Sequence, residues 1–160
     1  MRSIVVYGSR SGNTRRVAEV IASVLQSRGA IDLLSVEEAP SAFPDDTDLI
    51  VVGGPTEGHG ITPPVAAFFD RLTPQSLEGV SAAAFDTRLH WPRLLSGSAA
   101  SGIAHRLHGL GANLIVPEES FLVTREPQLQ TGELERAELW ARLLVNAIDA
   151  KLPALAAGAH

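Results

Sequence analysis

Cysteine is absent from this 160-residue chain, which excludes disulfides and thiolate metal sites as supports for the fold. Also missing is any long apolar run: the opening Met1-Arg2-Ser3-Ile4-Val5-Val6 is too short for a signal peptide or a membrane span. A soluble, cytoplasmic protein without membrane contact is expected. Basic residues are lacking from residues 31–70, which hold eight Asp or Glu, whereas residues 1–30 hold five Arg against one Glu. With a net charge of −5, that uneven distribution argues against a general affinity for nucleic acid. It suits an anion near the first segment, and either a solvated loop set or a docking patch for a cationic partner in the second. His105 and His108 share one helical face, but no carboxylate or third histidine accompanies them, so no metal site is expected.

What is present is a regular alternation of short apolar runs with helix-period segments. Residues 3–7, 31–36, 48–52, 80–85 and 113–116 read as strands, with 121–123 extending or accompanying the last. Val17, Val20, Ile21, Val24 and Leu25 repeat at helical spacing before Gly29, a natural C-terminal stop. Pro63 and Pro64 open a helix reaching residue 72, residues 99–110 form another, and residues 133–148 carry the stripe Leu134, Ala137, Trp140, Ala141, Leu144, Ile148, with Trp140 in the core. Residues 37–47 read as a weak helix or loop, 86–98 as a long connection, and 152–160 as a frayed end. One domain over residues 1–150 and a C-terminal tail over 151–160 follow.

Continuous apolar strands alternating with helices mean a parallel sheet covered on both faces: an α/β, doubly wound, three-layer sandwich. Such sheets collect ligands at the carboxyl ends of their strands. Three segments are expected to meet there: residues 9–14, 54–63 and 86–98. The first, Ser9-Arg10-Ser11-Gly12-Asn13-Thr14, lies between a buried strand and a helix, so backbone amides and three hydroxyls converge on the positive end of the helix dipole. That is an anion cradle. Arg10 either clamps the anion or points to solvent, and an ordinary helix start capped by Thr14 is the alternative for the whole loop.

At this loop, at the third strand running into Gly53-Gly54-Pro55-Thr56, and at the final Gly-Glu-Leu-Glu-Arg-Ala-Glu helix, the chain resembles the flavodoxin family. Its first loop reads Thr/Ser-x-Thr-x-Asn-Thr or Thr/Ser-x-Thr-Gly-x-Thr in that family. The resemblance implies a flavodoxin-like five-stranded sheet of order 2-1-3-4-5 and a non-covalently held flavin mononucleotide, FMN, in a chain too short for the long-chain insertion. It places the phosphate on Ser9, Arg10, Ser11, Gly12, Asn13 and Thr14. One side of the ring falls to Pro55, Thr56, Glu57, Gly58, His59 and Gly60, where many members have a tryptophan and where Gly58 or Gly60 would let a peptide flip toward the one-electron reduced flavin. The other side falls to Asp86, Thr87, Arg88 and Trp91, in place of the family's Gly-x-Gly-Asp. Trp91 is the one aromatic in the three loops, either a ring platform or a hydrophobic plug over the sheet end.

No catalytic acid, base or nucleophile is needed for the function so implied: an electron-transfer protein passing electrons between a reductase and a redox partner, docking through the acidic 31–70 segment. Two alternatives stand beside it. One is a small flavin-dependent NAD(P)H or quinone oxidoreductase, against which no G-x-G-x-x-G fingerprint is present. The other is a flavin-free flavodoxin-like interaction module. Glu133, Glu135 and Glu138 beside Arg136 and Arg142 read as a solvated, charge-laced helix face.

Overall fold

The computed structural model describes residues 1–92 and 97–158, the side chains of 152–157 excepted. Among the described residues six strands and four helices follow in the order β1 (Arg2–Tyr7), α1 (Asn13–Gln26), β2 (Ala30–Ser35), β3 (Leu49–Pro55), α2 (Pro63–Arg71), β4 (Ser81–Leu89), α3 (Ala99–Gly109), β5 (Asn113–Leu114), β6 (Glu119–Val123) and α4 (Glu133–Ala157). All pairings between these strands are parallel, in the order β2-β1-β3-β4-β5, with β6 also on β4.

Strand alternation builds two cores. Ile4, Val6, Ile50 and Val52 face α2 and α3, meeting Phe68, Ile103 and Leu107. Val5, Leu49, Val51 and Phe85 face α1 and α4, meeting Ile21, Leu25, Trp140 and Leu144. Trp140 stands edge-on to both Phe85 and Phe121, with ring centroids 6.1 Å apart in each pair. Its reading as core therefore agrees with the structure. The three-layer, doubly wound sandwich is the observed architecture.

Three boundaries differ from the sequence reading. β4 does not stop at Phe85 but runs to Leu89, because β6 lies alongside it in register from Phe85↔Glu119 to Leu89↔Val123. Asp86, Thr87 and Arg88 are thus strand residues, not loop residues, and of the expected connection only residues 93–96 fall outside the described residues. The fifth lane of the sheet is split: β5 pairs with the start of β4, where the Ile115 amide also donates to the Ala82 carbonyl at 3.0 Å, and β6 pairs with its end, with residues 116–118 outside both ladders. Residues 37–47 form a loop of turns, one of the two readings made from the sequence. α4 continues to Ala157, through most of the expected tail, of which residues 159–160 lie outside the described ones.

α4 also corrects the picture of a solvated acidic face. Glu133 is 8% exposed, accepting from the Leu122 amide at 2.6 Å and from Arg136 at 2.8 Å. Arg136 also reaches Glu119 at 3.0 Å and the Ser120 carbonyl, and lies 4.8 Å over the Phe121 ring. Burial raises the pKa of Glu133, but the hydrogen bonds from Arg136 and Leu122 outweigh it and hold the carboxyl below the ordinary glutamate value. Only the Glu138–Arg142 pair is the exposed helix pair expected of that face.

Candidate functional site

The three segments converge because their strands are adjacent: Tyr7 pairs with Gly53, and Gly53 with Phe85. The first loop ends at Gly12, the N-cap of α1, whose φ of 91° suits only glycine without strain. Gly12 itself has no side chain to cap this helix, and no acidic residue occupies the first turn. Thr14 is not the cap; its hydroxyl meets that of Thr87 at 2.8 Å, tying the first helical turn to β4.

The donors left over define what the loop can hold. Ser9 Oγ accepts from the Gly12 amide at 3.1 Å and from the Arg15 amide at 3.4 Å, so its own proton is free to point outward. Ser11 Oγ accepts from Asn13 Nδ2 at 3.2 Å and is in the same position. Asn13 is anchored by donating to the Pro127 carbonyl at 2.7 Å. Among the described residues the amides of Ser11, Asn13 and Thr14 have no acceptor. Two hydroxyls and three amides at a helix N-terminus match the oxygens of a phosphate.

Arg10 points to solvent, its side chain 80% exposed. Its Nη1 lies 3.0 Å from Glu57 Oε2, an exposed ion pair that joins the first loop to the second. Both residues border a cavity of ≈ 370 Å³ together with Gly8, Glu37, Pro55 and Pro63. Arg15 pairs with Glu19 one turn along α1.

In the second loop, Glu57 and Gly60 exchange backbone hydrogen bonds of 3.1 and 3.0 Å around Gly58 and His59. Both central residues have positive φ, 53° and 71°, the combination of a type I′ turn. Glycine accepts this freely and histidine does not. The turn rests on the third loop: a Cβ at Gly97 would lie 2.0 Å from the His59 carbonyl oxygen.

Thr56 and Asp86 are turned inward. The Thr56 amide donates to the Thr87 carbonyl at 2.9 Å, and its hydroxyl donates to Asp86 Oδ2 at 2.8 Å. Asp86 is fully buried and Thr87 nearly so. Arg88 donates to the Trp91 carbonyl at 2.8 Å. Trp91 is 47% exposed and stacks on no other ring among the described residues. The mutual anchoring of Thr14, Thr56, Thr87 and Asp86 was not read from the sequence; the polar residues closing the apolar run of β4 were its available signal.

The acidic segment 31–70 is divided by the fold. Asp32 and Asp46 pair with Arg2, Asp48 accepts from the Arg2 amide, and Asp45 borders the same depression at the amino ends of the strands. Asp70 pairs with Arg106. Glu37, Glu38 and Glu57 alone stand at the end where the three loops meet.

This is a doubly wound α/β domain, a class whose ligands collect at the carboxyl ends of the strands, and the first helix after β1 starts there with unpartnered amides. A family model described as flavodoxin domain matches residues 4–89, more than half of the chain, and the chain belongs to the flavodoxin family. A curated flavodoxin of Clostridium saccharobutylicum is 28% identical over 89 residues, 54% of this chain and 56% of the relative. The match thus spans about half the length of that relative. Among solved structures, a flavodoxin from the domain Archaea superposes with a TM-score of 0.77 at 22% identity, over 93% of this chain and 99% of that one. Flavodoxin 1 of Bacillus cereus gives 0.76 at 22%, over 91% and 98%. The rubredoxin oxygen:oxidoreductase of Desulfovibrio gigas gives 0.74 at 21%, over 94% of this chain and 37% of that larger one. At these identities the structural likeness speaks for the fold. Flavodoxins bind FMN, the cofactor of the family.

Among the described residues no helix is long and apolar enough to cross a membrane.

Proposed function

We propose that this chain is an FMN-binding electron carrier that passes electrons between a reductase and a redox partner. The observation that carries the reading is the set of unpartnered amides of Ser11, Asn13 and Thr14 around the left-handed Gly12. Those amides and the Ser9 and Ser11 hydroxyls would hold the FMN phosphate, while Thr14 keeps the helix start fixed to β4 through Thr87. The bound flavin supplies reversible uptake of one or two electrons, and the protein supplies its position and surroundings.

Trp91, exposed and free of ring contacts, would be the platform on one side of the flavin. On the other side stand Pro55, Thr56 and the turn from Glu57 to Gly60. Rotating the peptide between Gly58 and His59 converts a type I′ turn into II′, moving His59 to the negative φ that it prefers while Gly58 keeps a conformation open to glycine. The turn can therefore present either a carbonyl or an amide to the cofactor. Glu37, Glu38 and Glu57 would attract a basic partner to this end of the molecule.

An absorption spectrum of the purified protein, followed by titration with FMN, tests the reading. A yellow protein, or a colourless one that takes up one equivalent of FMN, is expected. A colourless protein that binds none rejects it. Oxidation of NADPH or NADH by the isolated protein without a reductase would instead identify a flavin oxidoreductase.

A further inference from the structure

Four large apolar side chains stand exposed among the described residues: Leu139 at 61%, Leu143 at 56%, Trp91 at 47% and Leu114 at 39%. Trp91 in the third loop and Leu114 on β5 each stand alone. Leu139 and Leu143, the two most exposed, lie one turn apart on the outer face of α4. The inner face of that helix is already filled by Ala137, Trp140, Ala141, Leu144 and Ile148, so these leucines have no part in the core. Apolar residues scattered singly over a surface are ordinary, whereas two adjacent ones on one outward stripe point to a contact.

The charges beside the stripe select what covers it. Between residues 133 and 151 the exposed residues of α4 are Glu135, Leu139, Arg142, Leu143, Asn146 and Ala150. At 3.6 residues per turn, Glu135, Glu138 and Arg142 fall along one side of this face and the two leucines along the other. Both signs of charge are therefore present on one side, with Arg142 on Glu138 at 2.5 Å. A uniformly basic or acidic partner would answer only half of that set. A second α4 running the opposite way answers all of it. With a two-fold axis perpendicular to the helix at the level of residue 140, residues equally far before and after that level face each other. Leu139 of one copy then lies beside Leu143 of the other, and Arg142 stands opposite Glu138 and within one turn of Glu135 of the other copy.

We propose that the outer face of α4 is the contact surface of a two-fold homodimer, held by the four leucines and fixed in direction by Glu135, Glu138 and Arg142. Such a contact uses the same patch twice and closes on itself, so it recruits no third copy. α4 begins at the loop end, where Glu133 holds the Leu122 amide, and reaches the amino ends of the strands, where Lys151 donates to Ser81. Opposed helices put the two loop clusters at opposite ends of the dimer, both open. One helix per copy buries less than the about 800 Å² per partner of a standard interface, so dissociation is expected at about 10–300 μM.

Sedimentation equilibrium across that range tests the surface. Leu139→Ser together with Leu143→Ser is expected to raise the dissociation constant at least about tenfold. Arg142→Glu alone, and Glu135→Arg together with Glu138→Arg alone, set like charges against each other across the two-fold axis, and each is expected to be monomeric where the native chain is dimeric. An equal mixture of these two charge variants restores opposite charges on both sides of the axis and is expected to dimerise as the native chain does. Far-UV circular dichroism and the urea midpoint confirm folding, and because the serine pair and the charge variants probe the surface independently, a folding defect in one leaves the other decisive. A native chain still monomeric at about 1 mM overturns the proposal. A dimer that survives the serine pair, or a mixture of charge variants that stays monomeric, overturns it as well. None of these outcomes bears on the FMN reading.

Discussion

Gly53 sits in β3 where a side chain would enter the Phe85 ring: an added Cβ would lie 2.1 Å from the Phe85 Cζ. Gly53→Ala is therefore expected to destabilise the protein by about 1–3 kcal/mol, the usual cost of overpacking, measurable by urea denaturation. Gly12 differs, because no atom lies within 4 Å of its missing Cβ and the constraint is conformational. Gly12→Ala should cost about 1–2 kcal/mol in backbone strain and weaken FMN binding, read by flavin titration. Trp91→Ala tests the platform: loss of a stacking partner worth about 0.5–1.5 kcal/mol lowers FMN affinity roughly 2- to 12-fold. An unchanged affinity would remove Trp91 from the site. At this scale the phosphate loop was legible because its residue types and its place between strand and helix carry the chemistry. The Arg10–Glu57 pair was not, since it depends on two loops 47 positions apart being brought together by the β1–β3 pairing.

Among the elements, those built from continuous apolar runs were read to within a few residues, because burial on both faces leaves little choice of backbone. The end of β4 escaped since it continues through Asp86, Thr87 and Arg88, polar residues whose pairing with β6 and whose side-chain partners lie elsewhere in the sequence. α4 was misjudged at Glu133 for the same reason: its partner Leu122 lies on β6, and that contact buries the Glu133–Arg136 pair that the helix alone would leave in solvent. That junction makes stability depend on pH. Because the folded protein holds the Glu133 pKa below the ordinary 4.5, its contribution is complete above that pH and is lost as pH falls through the folded value. The unfolding midpoint in urea should decline below about pH 4.5, and Glu133→Gln should remove part of that decline.

For the molecule as a whole, the fold redistributes charge that the sequence presents as one block. Asp32, Asp46 and Asp48 gather on Arg2 at one end of the sheet, and Glu37 and Glu57 border the cavity at the other. If partners dock near the flavin, Glu37→Lys with Glu38→Lys should slow reduction by a flavoprotein reductase more than Asp45→Lys with Asp46→Lys. The difference should shrink in stopped-flow measurements as salt rises, since screening acts over about 10 Å at 0.1 M.

The broken fifth lane bears on how copies of this protein behave when concentrated. A smooth outer strand offers its free amides and carbonyls to any extended chain that drifts past, and such templating seeds precipitates. Here that border consists of a two-residue β5 and an offset β6, too discontinuous to guide a visiting strand along its length. The interruption at residues 116–118 thus gives this flank of the sheet a built-in resistance to growth into fibres.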